Sequence, residues 1–71
     1  MLGALIGDYI KSKGITQVKV AADAGIPSQT LNDIIHGRRR IEVTEYFSIC
    51  KALGCSINYF YDQMFDSTRS A

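Results

Sequence analysis

TQVKVAADAGIPSQTLNDIIHG, residues 16–37, reads as two short helices joined by a tight turn at Gly25. Val18, Ala21, Ile26, Leu31 and Ile34 mark the buried sides. Thr16 suits the N-cap of the first helix and leaves Gln17 exposed in the opening turn. Pro27 is tolerated in the first turn of the second helix and fixes its start to within a residue. Ser28, Gln29, Asn32 and Asp33 then fall at i, i+1, i+4 and i+5, so a helix gathers all four on the side opposite Leu31 and Ile34.

Working outward, Leu2, Leu5, Ile6, Tyr9 and Ile10 repeat at i, i+3, i+4, i+7 and i+8, the pattern of an amphipathic helix. Gly3 and Gly7 each weaken it by up to about 1 kcal/mol relative to Ala. Packing, or the close approach of another helix at Gly7, is expected to offset that cost. Lys11 and Lys13 suit the helix C-terminus, and Gly14 supplies a left-handed cap. Downstream, Thr44 is expected to cap a fourth helix with Phe47, Ile49, Cys50 and Leu53 at its apolar positions and Gly54 at its end. Ser56 then caps a short fifth helix, INYFYDQMF, whose Tyr59, Phe60, Tyr61 and Phe65 exceed what a small core needs. One or two of these rings are expected to face outward. The domain is expected to span residues 1–66, with 67–71 a flexible tail or the start of a linker.

Seventy-one residues make one small domain, near the lower limit for a core without metals or disulfides. A hydrophobic fraction of 46% with one Pro argues against disorder. No apolar run approaches the roughly 20 residues a membrane span needs, and MLGALIG carries no positive leader, so a cytoplasmic location is expected. Cys50 and Cys55 form no C-x-x-C pair and His36 is remote from them, which points to reduced core cysteines and no zinc site. One His and scattered carboxylates do not supply a nucleophile, base and orienting group, so no enzyme and no cofactor are implied.

Net charge is only +1, but its distribution is uneven. Residues 11–40 carry Lys11, Lys13, Lys19, Arg38, Arg39 and Arg40 against Asp23 and Asp33, a balance of +4. Residues 41–71 carry a balance of −2. The basic half holds the two-helix stretch, and the polar row on its second helix, backed by an apolar stripe, suits a helix lying in a DNA groove. Arg38, Arg39 and Arg40 follow Gly37 directly and form a natural phosphate clamp, the competing reading being a solvated charged face.

Gln17, Ala21, Gly25 and Gly37, together with the small-Leu-Gly-x-Ser segment in KALGCSINYF, resemble the pattern of the phage repressor and Cro-type (XRE-like) helix-turn-helix family. The resemblance covers nearly the whole chain. It implies an all-α, five-helix lambda-repressor-like domain with the helix-turn-helix at its second and third helices. It further implies a regulator of transcription, a repressor, that binds double-stranded DNA as a homodimer. On that likeness Ser28, Gln29, Asn32 and Asp33 contact bases, while Gln17, Arg38, Arg39 and Arg40 contact phosphates. An ordinary solvated helix-start residue is the competing reading of Gln17. Tyr59, Tyr61 and Phe65 are candidates for the dimer interface, unless all of the rings cover the core. Two other readings use the same fold: an antitoxin-like protein that binds a toxin and regulates its own operon, and a protein-interaction module without DNA binding. Where many relatives pair a basic residue with a Glu, this chain has Ile10 and Ile35, which are expected to touch as a packed apolar substitute.

Overall fold

The computed structural model describes residues 2–69, with side chains described for residues 2–64. The helices are α1 (Leu2–Ser12), α2 (Gln17–Ala24), α3 (Ser28–Ile35), α4 (Val43–Leu53) and α5 (Asn58–Arg69). No strand occurs among the described residues. The backbone of α5 continues three residues past the boundary at 66 expected from sequence.

Local chemistry sets the ends that matter for the helix-turn-helix. Thr16 Oγ1 accepts the Lys19 N–H at 3.1 Å, closing the start of α2. At the other end Gly25 takes φ 74°, a left-handed conformation that costs glycine little. Its N–H then reaches the Ala22 carbonyl at 3.2 Å while the Ile26 N–H reaches Ala21 at 3.0 Å, the paired bonds of a Schellman turn. Pro27 lies just outside α3 with extended backbone, at the N-cap, so Ser28 is the first helical residue.

Sequence expectations are corrected at α2 and α4, and Gln17, expected to be exposed, is half-buried. Val18 is exposed, and α2 instead buries Val20 and Ala21. Thr44 lies inside α4, because Glu42 is the N-cap and its N–H donates to Glu45 Oε1 at 3.0 Å. An acid three residues into a helix can reach back to the cap in this way, which moves the start upstream of the threonine. With α4 so phased, Tyr46, Ile49, Cys50 and Leu53 form the inward i, i+3, i+4, i+7 face, and Phe47 turns outward.

All five helices contribute to one core: Ile6, Ile10, Val20, Ala21, Leu31, Ile34, Tyr46, Ile49, Cys50 and Phe60 are buried. Within it α2 packs on α4, α3 packs on both α1 and α2, and α5 packs on α1. Close approach at Gly7 is as expected: a Cβ there would lie 2.7 Å from Ile35 Cγ2. Ile10 and Ile35 border a common hollow with Gly7, Lys11, Gln17 and His36, but only Ile10 is buried. The half-buried Ile35 covers Gly7 and packs against the edge of the core. Tyr46 donates its hydroxyl to the Ile57 carbonyl, tying α4 to the turn before α5. Burial, and then its hydrogen bond with Cys50, push the Tyr46 phenol up to about 12. Both cysteines are free thiols, Cys50 buried and Cys55 half-buried.

Candidate nucleic-acid interface

Ser28 and Gln29 stand exposed in the first turn of α3, while Asn32 and Asp33, one turn later, are half-buried. The difference has a cause in their partners. Asn32 donates through Nδ2 to Gln17 Oε1 at 3.2 Å and accepts Arg38 Nη2 on Oδ1 at 2.6 Å. Asp33 accepts both Gln29 Nε2, at 2.9 Å, and Arg38 Nε, at 3.0 Å, on the same oxygen, Oδ1. Five side chains are therefore linked in series: Gln17, Asn32, Arg38, Asp33 and Gln29. They join the start of α2 to the outer face of α3 and to the loop behind it.

Arg38 reaches back to α3 because of Gly37. With φ 76° at that glycine, its N–H meets the Ile34 carbonyl at 3.2 Å and the Arg38 N–H meets the Asp33 carbonyl at 2.8 Å. Backbone and guanidinium of Arg38 thus engage the same residue. Arg39 turns the other way, with Nη1 2.6 Å from Glu45 Oε1 and 3.2 Å from the Arg40 carbonyl, and so pins the loop to the start of α4. Arg40 is exposed and has no ion-pair partner among the described residues. His36 Nδ1 lies 2.9 Å from the Asn32 carbonyl, a contact that places its proton on Nδ1.

The carboxyls paired with the loop arginines, Asp33 and Glu45, are held below the usual carboxylate range. For Asp33 the Arg38 guanidinium is the main cause and the Gln29 amide the second. For Glu45 it is Arg39, working against desolvation and aided by the Glu42 N–H. A depressed folded value means that each pairing is in place at neutral pH and is lost as pH falls through that value.

The family model described as "Helix-turn-helix" matches residues 6–60. The chain belongs to the Cro/C1-type helix-turn-helix family. It is thus a DNA-binding helix-turn-helix domain of the regulatory kind, with α2 and α3 as the motif. No curated protein and no solved structure gives a significant match.

Within this family frame, the residues expected at the interface fall into groups. Gln17, Gln29, Asn32, Asp33 and Arg38 come together in the linked series, and Ser28 sits beside it in the first turn of α3. Arg39 is drawn aside by Glu45, leaving Arg40 as the loop cation without an ion-pair partner among the described residues. Sequence reading missed the Arg38 and Arg39 pairings, because partners five residues apart across the Gly37 turn, or six apart from the loop into α4, match no helical spacing rule. The signal available was Gly37 itself, which folds the following residue back on the helix. No group of three His, Cys, Asp or Glu side chains among the described residues is placed to hold a metal ion. Among the same residues no helix is long and apolar enough to cross a membrane.

Proposed function

We propose that this protein binds double-stranded DNA as a homodimer and represses transcription by occupying its site. The observation that carries the reading is the linked polar series from Gln17 to Gln29. On this reading α3 meets base edges along that series, while Gln17 at one end of it and Arg40 in the adjoining loop approach the flanking backbone. An eight-residue helix is only about 12 Å long and spans few base pairs, so discrimination calls for two copies about one DNA turn apart.

A second copy has a surface to use. Leu2, Ile41, Val43, Phe47, Ile57 and Tyr61 line an apolar groove of about 310 Å³ between the starts of α4 and α5. Val43, Phe47, Ile57 and Tyr61 are exposed there, so one patch offers both protruding apolar groups and a hollow, as a two-fold contact requires. Of the residues expected at an interface, Tyr61 lies in this groove. Tyr59, although exposed, leans on Tyr9 with ring centroids 5.5 Å apart, and the side chain of Phe65 lies outside the described residues.

Selection from random duplex DNA at a stated salt concentration tests the reading. The expected product is an inverted repeat with half-sites about 10 base pairs apart. A Gln amide can accept from N6 and donate to N7 of adenine, so an adenine is expected at one symmetric position of each half-site. Gln29→Ala should then cost about 1–3 kcal/mol on the selected site and less on a site already changed at that base pair. An equal loss on both sites would show that Gln29 does not read that base, and recovery of no sequence preference would defeat the proposal.

Arg40 gives an independent measurement. Arg40→Ala should weaken binding to all duplexes alike and flatten the slope of log K against log salt by about 0.9. Arg39→Ala should act mainly by loosening the loop from α4, so the slope should change less. If the two variants change the slope equally, Arg39 is not withheld from the backbone by Glu45.

A further inference from the structure

We infer that Asp33 serves as a positioning residue for specificity: its carboxylate fixes the Gln29 amide toward the bases and holds Arg38 away from the phosphates. The inference rests on the reading of α3 as the base-reading helix and changes the role of one residue within it. Asp33 sits in the last turn of α3, where the negative end of the helix dipole disfavours a carboxylate. Arg38 offsets that cost. Its backbone N–H and its Nε both meet Asp33, because the left-handed turn at Gly37 returns the chain to the helix end.

On the other side, the Gln29 Nε2 group gives one proton to Asp33 Oδ1. Its second proton and its Oε1 remain, and these are the donor and acceptor that bidentate pairing with adenine uses. The bond one turn away removes rotational freedom from an exposed Gln before DNA arrives, so ordering it costs less on binding. Arg38 is affected in the opposite sense. With Nε on Asp33 and Nη2 on Asn32, its charge is locally balanced, and it adds less to phosphate attraction than a bare guanidinium.

A double-mutant cycle on DNA separates this role from a direct base contact. Discrimination is measured as the ratio of affinity for the selected site to that for a site changed at the Gln29 base pair. Asp33→Ala should reduce the ratio by about fivefold or more, within the range a bidentate pair supplies. In a Gln29→Ala background it should reduce it no further. Asp33→Asn keeps an acceptor for the Gln29 amide but loses the charge partner of Arg38. It should therefore retain the discrimination of the wild type while steepening the salt slope, by up to about 0.9 as Arg38 becomes available to a phosphate. Asp23→Asn removes the same charge from the Lys19–Asp23 pair and serves as the control for net charge.

Two results would overturn the inference: undiminished discrimination in Asp33→Ala, or relaxed specificity at a base pair other than the one Gln29 reads. The second would mean that Asp33 contacts a base itself. A readout in the free protein keeps the test apart from the DNA reading. The Gln29 side-chain amide and Arg38 Nε–H resonances should shift in Asp33→Ala, and only the Arg38 resonance should move strongly in Asp33→Asn. A wild type that selects no DNA sequence, beside variants that show these shifts, would defeat the DNA reading and leave the contacts standing; unmoved resonances in the variants would defeat the contacts themselves.

Discussion

Phe60→Ala should destabilise the folded chain by about 3–5 kcal/mol, the usual cost of deleting a fully buried aromatic ring. Phe60 is 0% exposed and meets Tyr9 and Tyr59 edge to face, at centroid distances of 5.6 and 5.0 Å. The truncation therefore loses buried area and two favourable ring contacts, and it uncouples α5 from α1. A chain of this length is expected to be stable by roughly 4–10 kcal/mol in total, so most of that margin is at stake. Urea titration should show a large drop in midpoint with an unchanged m value. Tyr59→Ala, at a ring 42% exposed, should cost clearly less. If the two variants unfold at the same midpoint, Phe60 is not the ring that locks α5 to the core.

The helix-turn-helix was legible in the sequence because its punctuation is stereochemical: Thr16 caps through its hydroxyl, and Gly25 and Gly37 adopt left-handed φ that other residues avoid. The inward faces of α2 and α4 were less legible. Val18 and Val20 are the same residue type, and Phe47 is more apolar than Tyr46 yet turns outward, so only the phase of the helix decides which side chain turns in. That phase followed from Glu42 and Glu45 at α4, a reciprocal cap that Thr44 concealed. Adjacent aromatics pose the same difficulty in α5, where neighbouring side chains point about 100° apart and just one of Tyr59, Phe60 and Tyr61 is buried. At the candidate interface the residue types were readable, but their commitments to one another were not. Asn32 and Asp33 look like free recognition groups in the sequence, and only the turn at Gly37 brings Arg38 onto both.

Gly3→Ala should destabilise the domain by about 2 kcal/mol, against the direction that helix propensity gives. A Cβ at Gly3 would lie 2.0 Å from the Ile34 carbonyl oxygen and 2.9 Å from its carbon, both backbone atoms. Ile34 cannot easily yield, because its side chain is buried and the same carbonyl accepts the Gly37 N–H that forms the α3 turn. The start of α1 must move instead, and because both close atoms are backbone the overpacking cost falls at the top of the usual range, about 3 kcal/mol, of which the propensity gain of up to about 1 kcal/mol offsets only part. Gly7 provides the control. Its close neighbour is Cγ2 of the half-buried Ile35, a side-chain methyl and not backbone, so Gly7→Ala should cost clearly less than Gly3→Ala although the stiff χ1 of isoleucine keeps it from being free. Thermal melting should therefore lower the midpoint by about 8–16 °C for Gly3→Ala and move it by only a few degrees for Gly7→Ala. Because the Ile34 carbonyl also anchors the turn that returns Arg38 to Asp33, Gly3→Ala should disturb the Arg38 Nε–H resonance as well, while Gly7→Ala leaves it in place. Equal melting points for the two variants would mean that α1 does not meet the α3 backbone at Gly3, and that the end of α3 is braced from elsewhere.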